Sequence, residues 1–194
     1  MPLGEWTLRQ ACQQAQAWMQ AGLHLRAAVN LSAVQLRQPD FATLIERILG
    51  DSHLVASALE LEVTESAFLD PSKVAITKTL HEVAEIGVHL AIDDFGTGYS
   101  SLAYLKHFPF DRIKIDKSFV RDIGAAGNAD AIVKAIIALG RSLGKSVTAE
   151  GVETERQLAF LRRNTCDEVQ GYLLARPTSV SKIERAFRDQ LMLG

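Results

Sequence analysis

The chain has 194 residues, of which 47% are hydrophobic and 23% are charged, and its formal net charge is −2. This length and composition allow a sizeable core, so we expect one domain over residues 1–194. The sequence contains no Lys/Arg run, which argues against duplex nucleic acid as a partner. It also lacks a signal-peptide pattern and any apolar run near the roughly 20 residues of a membrane span.

Cysteine and histidine usage favours neither disulfides nor zinc. Cys12 and Cys166 are not spaced like metal ligands, and we expect two reduced thiols in a cytoplasmic protein. The five histidines form no pair at ligand spacing, which argues against a zinc site.

Along the chain, short apolar segments typical of strands alternate with longer segments of helical period. The predicted strands are 27–31, 59–63, 88–92, 112–116, 147–150 and 168–173. The predicted helices are 5–21, 41–49, 71–86, 102–107, 129–143, 154–163 and 181–193. Four glycines follow predicted helix ends, where a left-handed residue commonly closes a helix: Gly22, Gly50, Gly87 and Gly144.

Such alternation requires parallel strands with helical crossovers, either in an open doubly wound sheet or in a barrel. The strand faces help to choose between the two. Arg112, Lys114 and Asp116 share one face of their strand, and Glu60 and Glu62 share one face of theirs. A sheet covered by helices on both sides should be apolar on both faces. The polar faces therefore favour a barrel with charged groups at the mouth of its lumen.

Polar side chains stand at or near the end of every predicted strand. They are Asn30, Glu62, Glu65, Asp93, Asp94, Lys114, Asp116, Glu150, Glu153 and Gln170. In a parallel barrel the strand ends meet on one rim, so these groups should converge. Carboxylate and amide oxygens suit Mg²⁺ or Mn²⁺, and paired ions can promote in-line attack on phosphorus. Each acid taken singly is more often a helix cap or a surface carboxylate; the whole series favours a site.

Six motifs, in order, resemble the EAL-domain family of bacterial cyclic di-GMP phosphodiesterases. They are Asn30-Leu31-Ser32, Glu62-Val63-Thr64-Glu65-Ser66, Asp93-Asp94-Phe95-Gly96-Thr97-Gly98, Lys114-Ile115-Asp116, Ala149-Glu150-Gly151-Val152-Glu153 and Gln170-Gly171-Tyr172. The resemblance implies a modified TIM-type barrel that hydrolyses cyclic di-GMP to linear pGpG.

The resemblance also implies a site of two Mg²⁺ or Mn²⁺ ions. Its ligands would be Asn30, Glu62, Asp93, Asp94 and Glu150, with Asp93 shared by both ions. Glu150 would in addition abstract a proton.

Four further residues receive roles from the same resemblance. Lys114 would position the attacking water and offset charge on the scissile phosphate. Glu153, Gln170 and Asp116 are assigned to the substrate-binding region.

One feature of the family is missing from these 194 residues, namely the Glu-Ala-Leu tripeptide on an early strand. The expected fold is therefore α/β, an incomplete TIM-type (β/α) barrel with six parallel strands alternating with helices, and the domain is a truncated EAL-type domain. We expect weak or no phosphodiesterase activity from this chain. The alternative is a catalytically inactive module that binds cyclic di-GMP or a protein.

The resemblance also bears on assembly. Glu65 resembles the residue that anchors loop 95–101, which in the family couples metal binding to dimer contacts. An incomplete barrel leaves two unpaired edges, so we expect a homodimer that covers them. An upstream sensor or signalling domain is a possible further partner, since such domains often precede this one in the family.

Overall fold

The computed structural model describes residues 2–69, 73–98, 105, 108–125 and 127–191. Six strands form one parallel sheet whose spatial order follows the chain. They are β1 Ala27–Leu31, β2 Leu59–Thr64, β3 His89–Phe95, β4 Arg112–Ile115, β5 Ser146–Ala149 and β6 Glu168–Val169. The α-helices of this part of the chain are α1 Leu3–Gln20, α2 Ala33–Leu36, α3 Phe41–Ser52, α4 Lys73–Glu85, α5 Lys117–Arg121, α6 Ala129–Ser142, α7 Glu155–Arg163 and α8 Val180–Leu191. None of them combines the length and apolarity of a transmembrane segment.

The two faces of the sheet have different chemistry, as β2 shows. Leu59, Leu61 and Val63 belong to the hydrophobic core, whereas Glu60 and Glu62 alternate with them and line a cavity of about 400 Å³ on the other face. Burying each of these aliphatic side chains contributes roughly 1.5–3 kcal/mol. The strands therefore combine an apolar face with a charged face, as the sequence predicted for a barrel lumen.

Helix ends follow the local sequence closely. Thr154 begins α7 with a capping box in which its side chain accepts from the backbone N–H of Gln157, and the Gln157 side chain accepts in return from the backbone N–H of Thr154. Gly22 and Gly87 adopt φ of +80° and +95° after α1 and α4, as predicted. The chain does not end α3 at Gly50. The helix continues to Ser52, and His53 closes it with φ of +56°.

Other boundaries also differ from the predictions. The last strand spans only Glu168–Val169, because the chain turns at Gly171, whose carbonyl accepts the N–H groups of Leu174 and Ala175. Asp116 does not extend β4; it caps the unpredicted helix α5. The predicted start at Pro71 lies outside the described residues, and so does the predicted helix 102–107 apart from Leu105.

Both edges of the sheet are open within the described residues. β1 pairs only with β2, and β6 pairs only with β5, so the sheet does not close on itself. The predicted fold class, six parallel strands with helices, is confirmed. Because all strands run in one direction, their carboxyl-terminal ends lie on a common rim.

Candidate active site

Lys114 is the centre of the charged cluster on this rim. Its Nζ lies 2.7 Å from Glu62 Oε2, 3.0 Å from Asp93 Oδ1 and 2.7 Å from Glu150 Oε1. The lysine side chain is only 6% exposed, so these contacts act with little solvent screening. Residues that are 88 positions apart in the sequence, Glu62 and Glu150, thus share one ammonium group.

A bend in β3 places two adjacent carboxylates in this site. Neighbouring residues of a regular strand point to opposite faces. Here the pairing with β4 shifts register between Ile92 and Phe95, and Asp94 adopts φ of +53°. Aspartate tolerates this left-handed conformation better than most residues. As a result, Asp93, Asp94 and Glu150 each offer a carboxylate oxygen within 4.8 Å of the others.

The donor set fits a hard divalent cation. All three groups provide oxygen, the ligand that Mg²⁺, Mn²⁺ and Ca²⁺ prefer. Asp93 Oδ1 is fully buried and has no hydrogen-bond partner in the described part of the chain, although Lys114 Nζ lies 3.0 Å away. The contact with Lys114 is an ion pair without hydrogen-bond geometry. A buried anionic oxygen without a hydrogen bond is costly, and a divalent cation would add a direct ligand contact to it.

Crowding of carboxylates changes the acidity of Asp94. Burial raises the pKa of Asp94, and the nearby charges of Asp93, Asp116 and Glu150 raise it further. The neighbouring Asp116 shifts the other way. Burial alone would raise the pKa of Asp116, but hydrogen bonds from the Ser118 hydroxyl and backbone N–H outweigh it and lower the pKa. A cation would favour the ionised form of Asp94.

The Lys114–Glu150 pair behaves as a buried ion pair with an excess of negative charge. Burial raises the pKa of Glu150 and outweighs the opposing effect of Lys114. Burial would lower the pKa of Lys114, but its bonds to Glu150 and Glu62 raise the pKa well above its ordinary value. Lys114 is therefore cationic at neutral pH, and Glu150 accepts protons more readily than an exposed glutamate.

The remaining predicted residues surround this centre. Asn30 is exposed on the edge strand β1 and pairs in register with Glu62. Glu153 and Gln170 line a second cavity of about 280 Å³ together with Glu150. Tyr172, from the motif Gln170-Gly171-Tyr172, lines the same cavity, and so does Lys117, which the sequence reasoning did not single out.

Glu65 holds the loop that follows β3. Its buried carboxylate accepts backbone N–H groups of Gly96, at 2.8 Å, and of Gly98, at 3.3 Å. Gly96 has φ of +99°, and an added Cβ would lie 2.8 Å from the Phe119 ring. The structure therefore shows hydrogen bonds from Gly96 and Gly98 to Glu65, and the anchoring role of Glu65 stays a prediction.

We expect Glu65→Gln to loosen this loop. A neutral acceptor binds an N–H less strongly than a carboxylate does, so the free energy of unfolding should fall by about 1 kcal/mol. Amide hydrogen exchange at Gly96 and Gly98 should accelerate. Glu82→Gln, at a surface pair with Lys78, is the control and should leave both amides protected. Unchanged exchange at Gly96 and Gly98 in Glu65→Gln would contradict the anchoring role.

Six parallel strands that alternate with helices define an α/β protein. On the carboxyl-terminal rim of its sheet, a buried lysine lies beside clustered carboxylates that could hold a metal ion. More specifically, the chain belongs to the EAL domain family, whose model matches residues 1–177.

Similar proteins agree with this assignment. An uncharacterized signaling protein of Caulobacter vibrioides is 50% identical over 181 residues, which are 93% of this chain and 22% of that protein. The cyclic di-GMP phosphodiesterase NbdA of Pseudomonas aeruginosa is 46% identical over 187 residues, which are 96% of this chain and 24% of that protein. The chain thus spans about a quarter of the length of these relatives.

Solved structures share the fold. The PaMucR phosphodiesterase in complex with c-di-GMP superposes with a TM-score of 0.89 at 42% identity, covering 93% of this chain and 73% of that one. The EAL domain of Mycobacterium smegmatis DcpA gives a TM-score of 0.89 at 38% identity, covering 96% and 84%.

Proposed function

We propose that this chain is a metal-dependent cyclic di-GMP phosphodiesterase domain that hydrolyses one phosphodiester bond to give linear pGpG. The observation that carries the proposal is the carboxylate cluster of Asp93, Asp94 and Glu150 beside the buried ammonium of Lys114. Membership of the EAL family and similarity to a named cyclic di-GMP phosphodiesterase support it.

Five residues are the proposed metal ligands. Asn30, Glu62, Asp93, Asp94 and Glu150 would hold Mg²⁺ or Mn²⁺. When bound, these ions supply Lewis-acid polarisation of the phosphodiester and offset the repulsion between an anionic substrate and an acidic site.

The protein's own groups would handle the proton and the substrate. Glu150, with its raised pKa, would accept the proton of the attacking water. Lys114 would orient that water and stabilise negative charge developing on the phosphate. Glu153, Gln170 and Asp116 would contact the substrate from the neighbouring loops.

The direct test is incubation of the purified chain with cyclic di-GMP and MnCl₂ or MgCl₂, followed by chromatographic detection of pGpG. We expect metal-dependent product that disappears with EDTA. Complete lack of product at high enzyme concentration would count against the enzymatic proposal.

One proposed ligand, Glu62, lies outside the cluster of three carboxylates that could share an ion and pairs with Lys114 instead. This arrangement favours a second candidate, a module that binds cyclic di-GMP without useful turnover. Calorimetry with cyclic di-GMP would measure the affinity, and chromatography of the same sample would show separately whether pGpG forms. Binding without pGpG in Mn²⁺ would favour the module, and product formation would favour the enzyme.

We further propose a homodimer and an upstream sensor or signalling domain as partners. The open edges β1 and β6 support the dimer, because unpaired strands tend to be covered. Light scattering at micromolar concentration tests the dimer, and a well-folded monomer would contradict it.

A cytoplasmic location is supported by the free thiols of Cys12 and Cys166.

A further inference from the structure

A second layer of charged side chains lies in the lumen, one step toward the amino-terminal ends of the strands. We define this lower tier as Arg26, Glu60, Arg112, Thr148 and Glu168, all of which line the cavity of about 400 Å³. The proposed chemistry uses none of them. Their contacts nevertheless connect strands that carry the candidate metal ligands.

Arg112 is the hub of the lower tier. Its Nε donates to Glu60 Oε2 at 3.1 Å, and its Nη1 donates to Thr148 Oγ1 at 2.7 Å and also to Glu168. Glu60 stands on β2, Thr148 on β5 and Glu168 on β6. One guanidinium on β4 therefore bonds to three other strands. Arginine provides several donors in a rigid plane, and lysine could not reproduce this pattern.

The contact with Glu60 crosses a whole strand. β3 lies between β2 and β4, and its residue in register with Arg112 is Ala91. The alanine methyl group is short, so the arginine side chain can pass over β3 to reach Glu60. Both ends of this cross-link are well buried, since Arg112 is 9% and Glu60 is 5% exposed.

The same crossing recurs two residues along the strands. Lys114 on β4 reaches Glu62 on β2, 2.7 Å away. Alternation places Arg112 and Lys114 on one face, and likewise Glu60 and Glu62. Two cross-links thus join β2 to β4, one above the other. The Lys114–Glu62 contact belongs to the candidate site, and the Arg112–Glu60 contact lies one step toward the amino-terminal ends of the strands.

On this basis we propose that Arg112 is a positioning residue, which sets the separation of β2, β4 and β5 and thereby the distance between Glu62 and the Asp93–Asp94–Glu150 cluster. The inference rests on the proposed function, since it assumes that these carboxylates hold a metal ion. Arg112 itself touches none of the carboxylates of that cluster in the contacts described above.

The test measures Mn²⁺ affinity by calorimetry, without substrate. The variant Glu60→Gln/Arg112→Met removes the lower cross-link while conserving net charge, and the two charged groups that lose a partner, Arg26 and Glu168, are exposed. We expect its Mn²⁺ dissociation constant to rise at least ~10-fold, the scale seen when groups that orient metal ligands are lost. Ile48→Ala is the control, because Ile48 is buried on α3 and lines no part of the lumen cavity.

The possible outcomes separate the two proposals. Weaker Mn²⁺ binding in the double variant, with normal binding in Ile48→Ala, supports the positioning role. Unchanged binding in the double variant overturns it, as does an equal loss in both variants, which would be a general effect of lower stability. If the unaltered chain binds no Mn²⁺, the proposed function fails, and this inference fails with it.

Discussion

Asp93→Asn is expected to reduce pGpG formation at least ~100-fold. Loss of a group that orients a metal ligand costs up to about 100-fold, and loss of a direct ligand should cost at least as much. Asp93 Oδ1 is buried, lies 3.0 Å from Lys114 Nζ and has no hydrogen bond. The amide has nearly the same volume but no charge, so the change affects electrostatics and ligation rather than packing. Mn²⁺ affinity, measured by calorimetry, should fall together with turnover.

A matched control is available on α5. Asp122 is exposed, follows the end of α5 and pairs with Arg121 at 3.1 Å. Asp122→Asn removes the same charge outside the site, and we expect activity and Mn²⁺ affinity like those of the unaltered chain. Equal activity of Asp93→Asn and Asp122→Asn would remove Asp93 from the proposed machinery.

The sequence predicted the location of the site better than its internal arrangement. Strand ends could be recognised from apolar segments that stop at polar residues, as at Glu62 and Glu150, and parallel topology then placed them on one rim. The prediction needed only the direction of the strands. This prediction did not depend on any side-chain conformation. It also did not depend on the exact ends of helices and strands, so errors in their predicted lengths did not affect it.

Two features of the site could not be predicted in this way. Regular alternation would point Asp93 and Asp94 to opposite faces, and only the register shift with Asp94 at φ of +53° brings them together. The reach of Arg112 over Ala91 depends on which residues lie in register across β3. Hydrophobic alternation excludes a one-residue slip between strands, because such a slip would exchange the two faces of the sheet. A two-residue shift keeps the faces, so the pattern alone does not fix which residues lie opposite each other.

Lys114→Met should cost about 3–5 kcal/mol of the free energy of unfolding at neutral pH, the usual range for breaking a buried ion pair on one side. The lysine is 6% exposed and lies within 3.0 Å of three carboxylates. Methionine fills similar space but leaves those carboxylates without a counter-charge. Urea unfolding measures the loss. Lys78→Met is the control, because Lys78 is 79% exposed in a surface pair with Glu82, and such pairs contribute about 0.5 kcal/mol or less.

The effect of Lys114→Met on the free energy of unfolding should depend on pH. The folded-state pKa of Lys114 is raised, so its stabilisation is fully present below the unfolded lysine value of about 10.4 and is lost as pH rises through the folded pKa. Lys114→Met lacks that alkaline loss. The stability deficit of Lys114→Met relative to the unaltered chain should instead shrink in mild acid, because the pKa of Glu150 is already raised by burial and protonation relieves the repulsion between the carboxylates.

Mg²⁺ should stabilise Lys114→Met more than it stabilises the unaltered chain, since the ion can replace the missing positive charge. Identical urea midpoints for the two proteins at neutral pH would show that these carboxylates do not depend on Lys114, and the electrostatic account of the site would be wrong.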